Sequence, residues 1–416
     1  MTVANMKIRK FVRIYYNKVI ESIAFYPALI AIGFLLLSFL MITFDFSEAG
    51  KEFKSGLSWL SLKDASTARS IISTVAAAII SLTVFSFSMV MIVLNQAASQ
   101  MSNRVLNSMI ENRFQQMILG FYIGTIVYAL FLLSTIRDIE SGILVPALSI
   151  YVLILMTVID IFLFIYFLDY VTQTVKYETV IDRVCHQTKK MMVKEFRGLN
   201  ENFATWEGHP YTEIVVKNSG YFQNFNRTAL LQLSKDKNFF ISFQRNFGSY
   251  LLKGTVVLRV YCAARLDKEI EESIANSIEF FPGQPIDVNA DYGFGQLTEI
   301  ALRALSPGIN DPGTAVISLH ALSGLLQYRM YCKMPSLLND DENTPRIYIG
   351  SSTFLDMFEK CIVPIWRYGK EDQYVQKAML EMILQLKECD TQVMYTALYN
   401  DWIGIITKQM KNSEIF

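Results

Sequence analysis

Four stretches of this chain are long, apolar and almost free of charge, and no other feature limits its fold so strongly. Ser22 to Phe44 and Phe114 to Ile136 contain no charged residue. Ser70 to Asn103 contains none either, with its apolar part reaching about Leu94, and Gly142 to Leu168 holds only Asp160. About 20 mostly apolar residues cross the hydrocarbon core as a helix, and a lone segment in lipid must satisfy its own backbone hydrogen bonds. Each stretch therefore reads as a transmembrane helix. The rest of the composition agrees: 52% of residues are hydrophobic, 18% are charged and the mean hydropathy is +0.29. That is too apolar for an ordinary soluble chain of 416 residues.

The first stretch is too long for a secretory leader and no small-x-small cleavage site follows it, so it is expected to remain in the mature protein. Lys7, Arg9, Lys10, Arg13 and Lys18 precede it. The positive-inside rule then places the N-terminus on the cytoplasmic side of the membrane. The loop from 45 to 69 is balanced in sign and the turn from 137 to 141 holds one arginine, so both suit the outer side. Arg104 and Arg113 return inside. The fourth helix leads to Lys176, Arg183, Lys189, Lys190, Lys194 and Arg197, which puts the C-terminal part in the cytosol. All five cysteines follow the apolar region, without a Cys-x-x-Cys pair or zinc spacing, and read as reduced thiols on that same side.

Two polar features stand out within the spans. On the second helix Thr74, Ser81, Ser88, Asn95 and Ser102 recur every seven residues and share one face, joined by Ala77, Ala78 and Ser99. Such a stripe lines a water-filled path or packs closely against another helix, and copies gathered around an oligomer axis would do both. Asp160 lies about nine residues from the inner end of the fourth span, roughly 13 Å deep. It is either a proton or cation site or a hydrogen-bonded acid packed on a neighbouring helix, with Tyr122 or Tyr128 as partner. No basic residue inside a span is available to pair with it.

The expected fold is an α-helical membrane protein of four transmembrane helices plus a cytosolic α+β part, a small β-module followed by a helical domain. The expected divisions are a cytosolic segment 1–21, the membrane domain 22–170 with its second helix extending into the cytosol, a connecting helix and β-domain 171–265, and a helical domain 266–416. Thr172 to Arg197 reads as a helix continuing from the fourth span. Glu213 to Gln223, Phe239 to Phe243 and Leu251 to Val260 read as strands, with a short helix over Ala229 to Leu233. Gly248 to Val257 resembles the strand and turn pattern of biotinyl- and lipoyl-type small barrels, without the lysine hairpin that such carriers modify. Residues 267–280 read as an amphipathic helix ended by Pro282, Gly283, Gln284 and Pro285.

The most distinctive run is Asp291 to Ala315. Gly295 to Leu305 suits a helix, Ser306-Pro307-Gly308 stops it, Asp311 is placed to cap the next helix and Pro312 suits its first position. Within it, Ala301-Leu302-Arg303-Ala304-Leu305-Ser306-Pro307-Gly308-Ile309-Asn310-Asp311-Pro312-Gly313-Thr314-Ala315 resembles the signature of a family of bacterial predicted membrane proteins with an uncharacterised domain. Gly313 falls at the variable position of that signature. The resemblance takes in almost the whole chain and implies a shared architecture, but it carries no assigned activity. The family's Arg-Thr pair near Gly283 is replaced here by Gln284 and Pro285.

The chemistry that the chain excludes is broader than the chemistry that it announces. There are three histidines, His186, His209 and His320, and no zinc-protease, nucleophile-elbow, phosphate-loop or catalytic cysteine-histidine motif. No catalytic residue, metal ligand or cofactor is therefore expected. Thirty-eight basic residues balance 38 acidic ones, so nucleic acid is not an expected partner. Arg303, Ser306, Asn310 and Asp311 form the best polar cluster, suited to binding an ion or small ligand or to bracing a turn with a buried Arg-Asp pair. Two functions stay in view. One is a homo-oligomeric, channel-like or transport-related protein gated by its cytosolic domain. The other is a membrane-anchored sensor or scaffold that binds a ligand or partner.

Overall fold

The computed structural model describes residues 22, 24–55, 64–100, 113–136, 145–174, 176–195, 209–263, 266–281, 286, 289–331, 337–350 and 352–413. The chain divides into two compact units, Met1–Ser99 with Val105–Lys176, and Gln100–Arg104 with Tyr177–Phe416.

The first unit is a helical bundle of α1 (Phe25–Phe46), the short α2 (Glu48–Ser55), α3 (Ala65–Gln100), α4 (Arg113–Thr135) and α5 (Ala147–Thr174). The four long helices have the length and apolarity to cross a membrane. Small residues decide how closely two of them approach. A Cβ on Gly120 would lie 2.7 Å from Cδ1 of Ile30, and one on Gly124 would lie 2.7 Å from the Phe34 ring. This glycine pair lets α1 lie directly on α4 where lipid supplies no hydrophobic drive for association. Phe34 meets Phe121 edge to face at 4.9 Å.

The start of α5 is also anchored. Oδ2 of the fully buried Asp45 accepts from both the backbone N–H and the hydroxyl of Ser149 at 2.8 Å. The Tyr128 hydroxyl donates to the Ser149 carbonyl at 3.1 Å. A helix start has N–H groups without intrahelical partners, and a carboxylate there satisfies them.

In the second unit α6 (Tyr177–Glu195) is followed by β1 (Tyr211–Val215), β2 (Gly220–Phe225), α7 (Arg227–Lys237), β3 (Phe240–Phe243), β4 (Tyr250–Leu251) and β5 (Val256–Tyr261). Then come α8 (Lys268–Asn276), β6 (Ile278–Phe281), α9 (Asp291–Ala304), α10 (Pro312–Tyr331), β7 (Leu337–Asn339) and β8 (Pro345–Tyr348). The last helices are α11 (Phe354–Gly369), α12 (Gln373–Cys389) and α13 (Thr396–Ser413). Two sheets form, in the orders β1-β5-β3-β8-β7 and β4-β2-β6. Phe222, Ile241, Val257, Leu258, Val260 and Ile347 fill the core between sheet and helices.

Several expectations change at this level. The small-barrel pattern is instead an open five-stranded sheet, because β8 arrives from about a hundred residues downstream and pairs parallel with β3, Ile241 opposite Ile347. The helix expected over 267–280 stops at Asn276. Ile278–Phe281 becomes a strand because β2 offers it a ladder, with Phe225 opposite Ile278 and Phe222 opposite Phe280. The helix α9 begins four residues before Gly295, at Asp291. The expected breakers Pro282 to Pro285 lie outside the described residues, as do the N-terminal basic residues, Arg104 and the turn from 137 to 141.

Candidate functional site

The bundle interior consists of two apolar clusters. Ile72, Tyr128, Leu132, Ile150, Leu153 and Met156 belong to one, and Ile79, Ile118, Tyr122, Phe167 and Val171 to the other. Along α4 and α5 the clusters are divided at Thr125 and Asp160. Asp160, Thr125, Tyr122 and Ser86 all have 0% exposure. Neither Asp160 carboxyl oxygen has a hydrogen-bond partner, and the hydroxyls of Ser86, Tyr122 and Thr125 have none either. Thr125 nevertheless faces Asp160, and Tyr122 faces both Asp160 and Ser86. Three helices thus gather three hydroxyls and one carboxyl into a single buried cluster, in which Thr125 approaches Asp160 and Ser86 approaches Tyr122 without full hydrogen-bond geometry.

Of these residues the sequence marks Asp160 directly and Tyr122 as a partner for it. Ser86 and Thr125 carry a weaker mark. Ser86 lies seven residues after Ile79, on the face that α3 packs inward, and Thr125 lies one turn beyond Tyr122 on α4.

The seven-residue stripe has a different setting. Thr74, Ser81, Ser88 and Asn95 are all exposed on α3, while Ala65, Ala68, Ile72, Ala76 and Ile79 are buried. At about 100° per residue the two sets lie about 180° apart, so the stripe points away from the bundle to which its helix belongs. The Ser81 and Ser88 hydroxyls donate to the carbonyls of Ala77 and Val84, at 3.0 and 2.9 Å. Ser102 lies outside the described residues.

The signature turn is built chiefly by its own polar groups. The Ser306 hydroxyl donates to the Arg303 carbonyl at 2.6 Å. Asn310 adopts φ 48°, a left-handed backbone that asparagine tolerates better than most residues. Asp311 accepts from the Thr314 N–H at 3.1 Å and from its hydroxyl at 2.6 Å, so it starts α10 as the sequence predicts. Tyr177 stands close to both Asp311 and Arg303. Burial and then the Asp311 carboxylate push its hydroxyl above the ordinary tyrosine range, and Arg303 opposes them.

A cleft of about 520 Å³ opens elsewhere in the second unit, and sequence spacing gives no sign of it. One wall is the loop from Asn246 to Ser249 and the other is formed by the starts of α9 and α11. Gly248, at φ 84°, holds a backbone that a side chain would strain, and a Cβ there would fall 2.9 Å from Asn289 Nδ2. Asp291, Asp356 and Lys360 give the cleft charge of both signs, and Ser352 adds a hydroxyl. Beneath it the buried Arg329 lies 3.7 Å from Asp291 and donates to the Ser352 carbonyl at 2.5 Å. The Ser352 hydroxyl donates to Asp291 at 2.5 Å. Cys361 is buried behind α9, and burial pushes its thiol up to about 11. It therefore stays protonated and poorly nucleophilic at neutral pH. Among the described residues no three His, Cys, Asp or Glu side chains are grouped to hold a metal.

Four spanning helices and a soluble region of small sheets and further helices define a multi-pass α-helical membrane protein. The chain belongs to the family described as "Predicted membrane protein (DUF2254)", whose model matches residues 20–385. Uncharacterised proteins of Mycobacterium bovis and Mycobacterium tuberculosis are each 22% identical to it over 327 residues. Those alignments take in 76% of this chain and 63% of each relative, so the chain spans less than two thirds of the curated relatives that it matches. No solved structure matches the chain.

Proposed function

We propose that this is a homo-oligomeric, transport-related protein of the bacterial inner membrane. In this reading copies of α3 surround a polar path, and the soluble region gates it from the cytosol. The observation that carries the reading is the outward stripe of Thr74, Ser81, Ser88 and Asn95, opposite the face that packs in its own bundle. Polar groups facing lipid are disfavoured, whereas small hydroxyl residues suit close contact between helices and contact with water in a path. The basic residues before α1 and after α5 in sequence support the N-in, C-in orientation.

Liposome flux of the purified oligomer, run beside Ser88→Leu and Asn95→Leu, tests this proposal. Loss of flux with assembly intact is the expected result. Variants that fall apart on native gels would make the stripe an interface alone, and wild-type protein inert under voltage, pH and tension would remove the path.

A second reading, a membrane-anchored sensor, is favoured by the mixed-charge cleft at Asp291, Asp356 and Lys360. Gly295 lines that cleft and has open space around its missing side chain. In Gly295→Trp the indole would fill the cleft. Native mass spectrometry of the full chain is expected to show a co-purifying small molecule that this variant loses. A molecule retained by the variant would place binding elsewhere.

A further inference from the structure

We infer that Asp160, Thr125, Tyr122 and Ser86 form an occluded intramembrane site for a small hard monovalent cation of the sodium class. The site is independent of the α3 stripe, since it lies inside the bundle of one chain. Its first support is the chemistry of the donors. Two carboxyl oxygens and three hydroxyl oxygens, drawn from α3, α4 and α5, are buried together, and none has a hydrogen-bond partner. Buried polar groups are rarely left in that condition unless an ion, a water or a functional demand accounts for it. Oxygen donors without imidazole or thiolate suit a hard cation.

Charge selects the valence. Among the described residues Tyr122 is the titratable group that faces Asp160. Asp45 belongs to the Ser149 end of α5, about 16 Å further along the helix. The site therefore presents one negative charge when Asp160 is ionised. A monovalent cation neutralises it, while a divalent one would leave net positive charge in a low-dielectric interior. Placement agrees with this assignment. Asp160 stands near the middle of the 28-residue α5, about 20 Å from either end, and intramembrane acids at such depth commonly mark ion pathways.

The test uses the full-length protein in detergent at pH 8, with thermal unfolding followed as sodium replaces choline at constant ionic strength. Binding to the folded state raises the transition in a saturable manner. A sodium-dependent rise is expected in the wild type, absent in Asp160→Asn and shifted to about tenfold higher sodium in Thr125→Val. Should Asp160→Asn fail to fold, Thr125→Val still decides the matter. A rise that persists unchanged in the variants overturns the site. So does stabilisation on acidification alone, equal in sodium and choline, which would identify a simple protonated acid.

Discussion

Replacing Arg329 by methionine is expected to destabilise the soluble region by about 3–5 kcal/mol, the usual cost of removing one partner from a buried ion pair. The guanidinium side chain is 1% exposed and that of Asp291 is 12% exposed, so water screens the charge left behind only weakly. The arginine also holds two chain segments together. It contacts Asp291 at the start of α9 and the Ser352 carbonyl just before α11, while Ser352 itself bonds Asp291. Its loss therefore removes the support beneath the cleft as well as the charge balance. Denaturant unfolding of the full chain, followed by tryptophan emission, reads the effect. Changing both partners to apolar residues, Arg329→Met with Asp291→Leu, should recover much of the loss. A cost under about 1 kcal/mol for Arg329→Met would mean that the pair contributes no more than an exposed one.

The second large effect is expected at Gly293. A Cβ there would lie 1.7 Å from the Thr188 hydroxyl oxygen and 2.8 Å from Thr188 Cβ, so α6 and α9 touch at this point without room for a methyl group. Thr188 is fully buried, and its hydroxyl donates to the Val184 carbonyl at 2.6 Å, so it cannot turn aside without losing that bond. Overpacking of this kind costs typically 1–3 kcal/mol. The gain in helix propensity from glycine to alanine, about 1 kcal/mol, acts against it. Gly293→Ala is expected to lower stability all the same, and Gly293→Val to do so by more. A double-mutant cycle with Thr188→Ala should return a favourable coupling. Additive effects in that cycle would show that the glycine serves something other than this contact.

The two sites show why legibility differed along the chain. Asp160 is conspicuous because a charge within an apolar run contradicts its surroundings. Thr125 and Ser86 escape notice because hydroxyl residues are common in membrane helices and often bond their own backbone, as Ser81 and Ser88 do. Only the assembled bundle shows which hydroxyls lack such bonds. At the signature, Asp311 and Pro312 specify their helix start locally, and the cap is visible in residue order alone. The cleft has no comparable mark, because Asn246, Asp291, Ser352 and Lys360 come from separate segments that only folding brings together.

By itself the sequence determined the four spans, the start of the signature helix and the family to which the chain belongs. The spans and the helix start follow from interactions within one turn of helix or one span of bilayer thickness, distances over which residue order is a sufficient guide. Tertiary structure alone decided that β8 joins β3, that Ile278–Phe281 is a strand and that α9 begins at Asp291. It also decided that the stripe of α3 turns away from its bundle while Ser86 turns inward. These outcomes depend on partners from distant parts of the chain, whose ladders and packing override local preference.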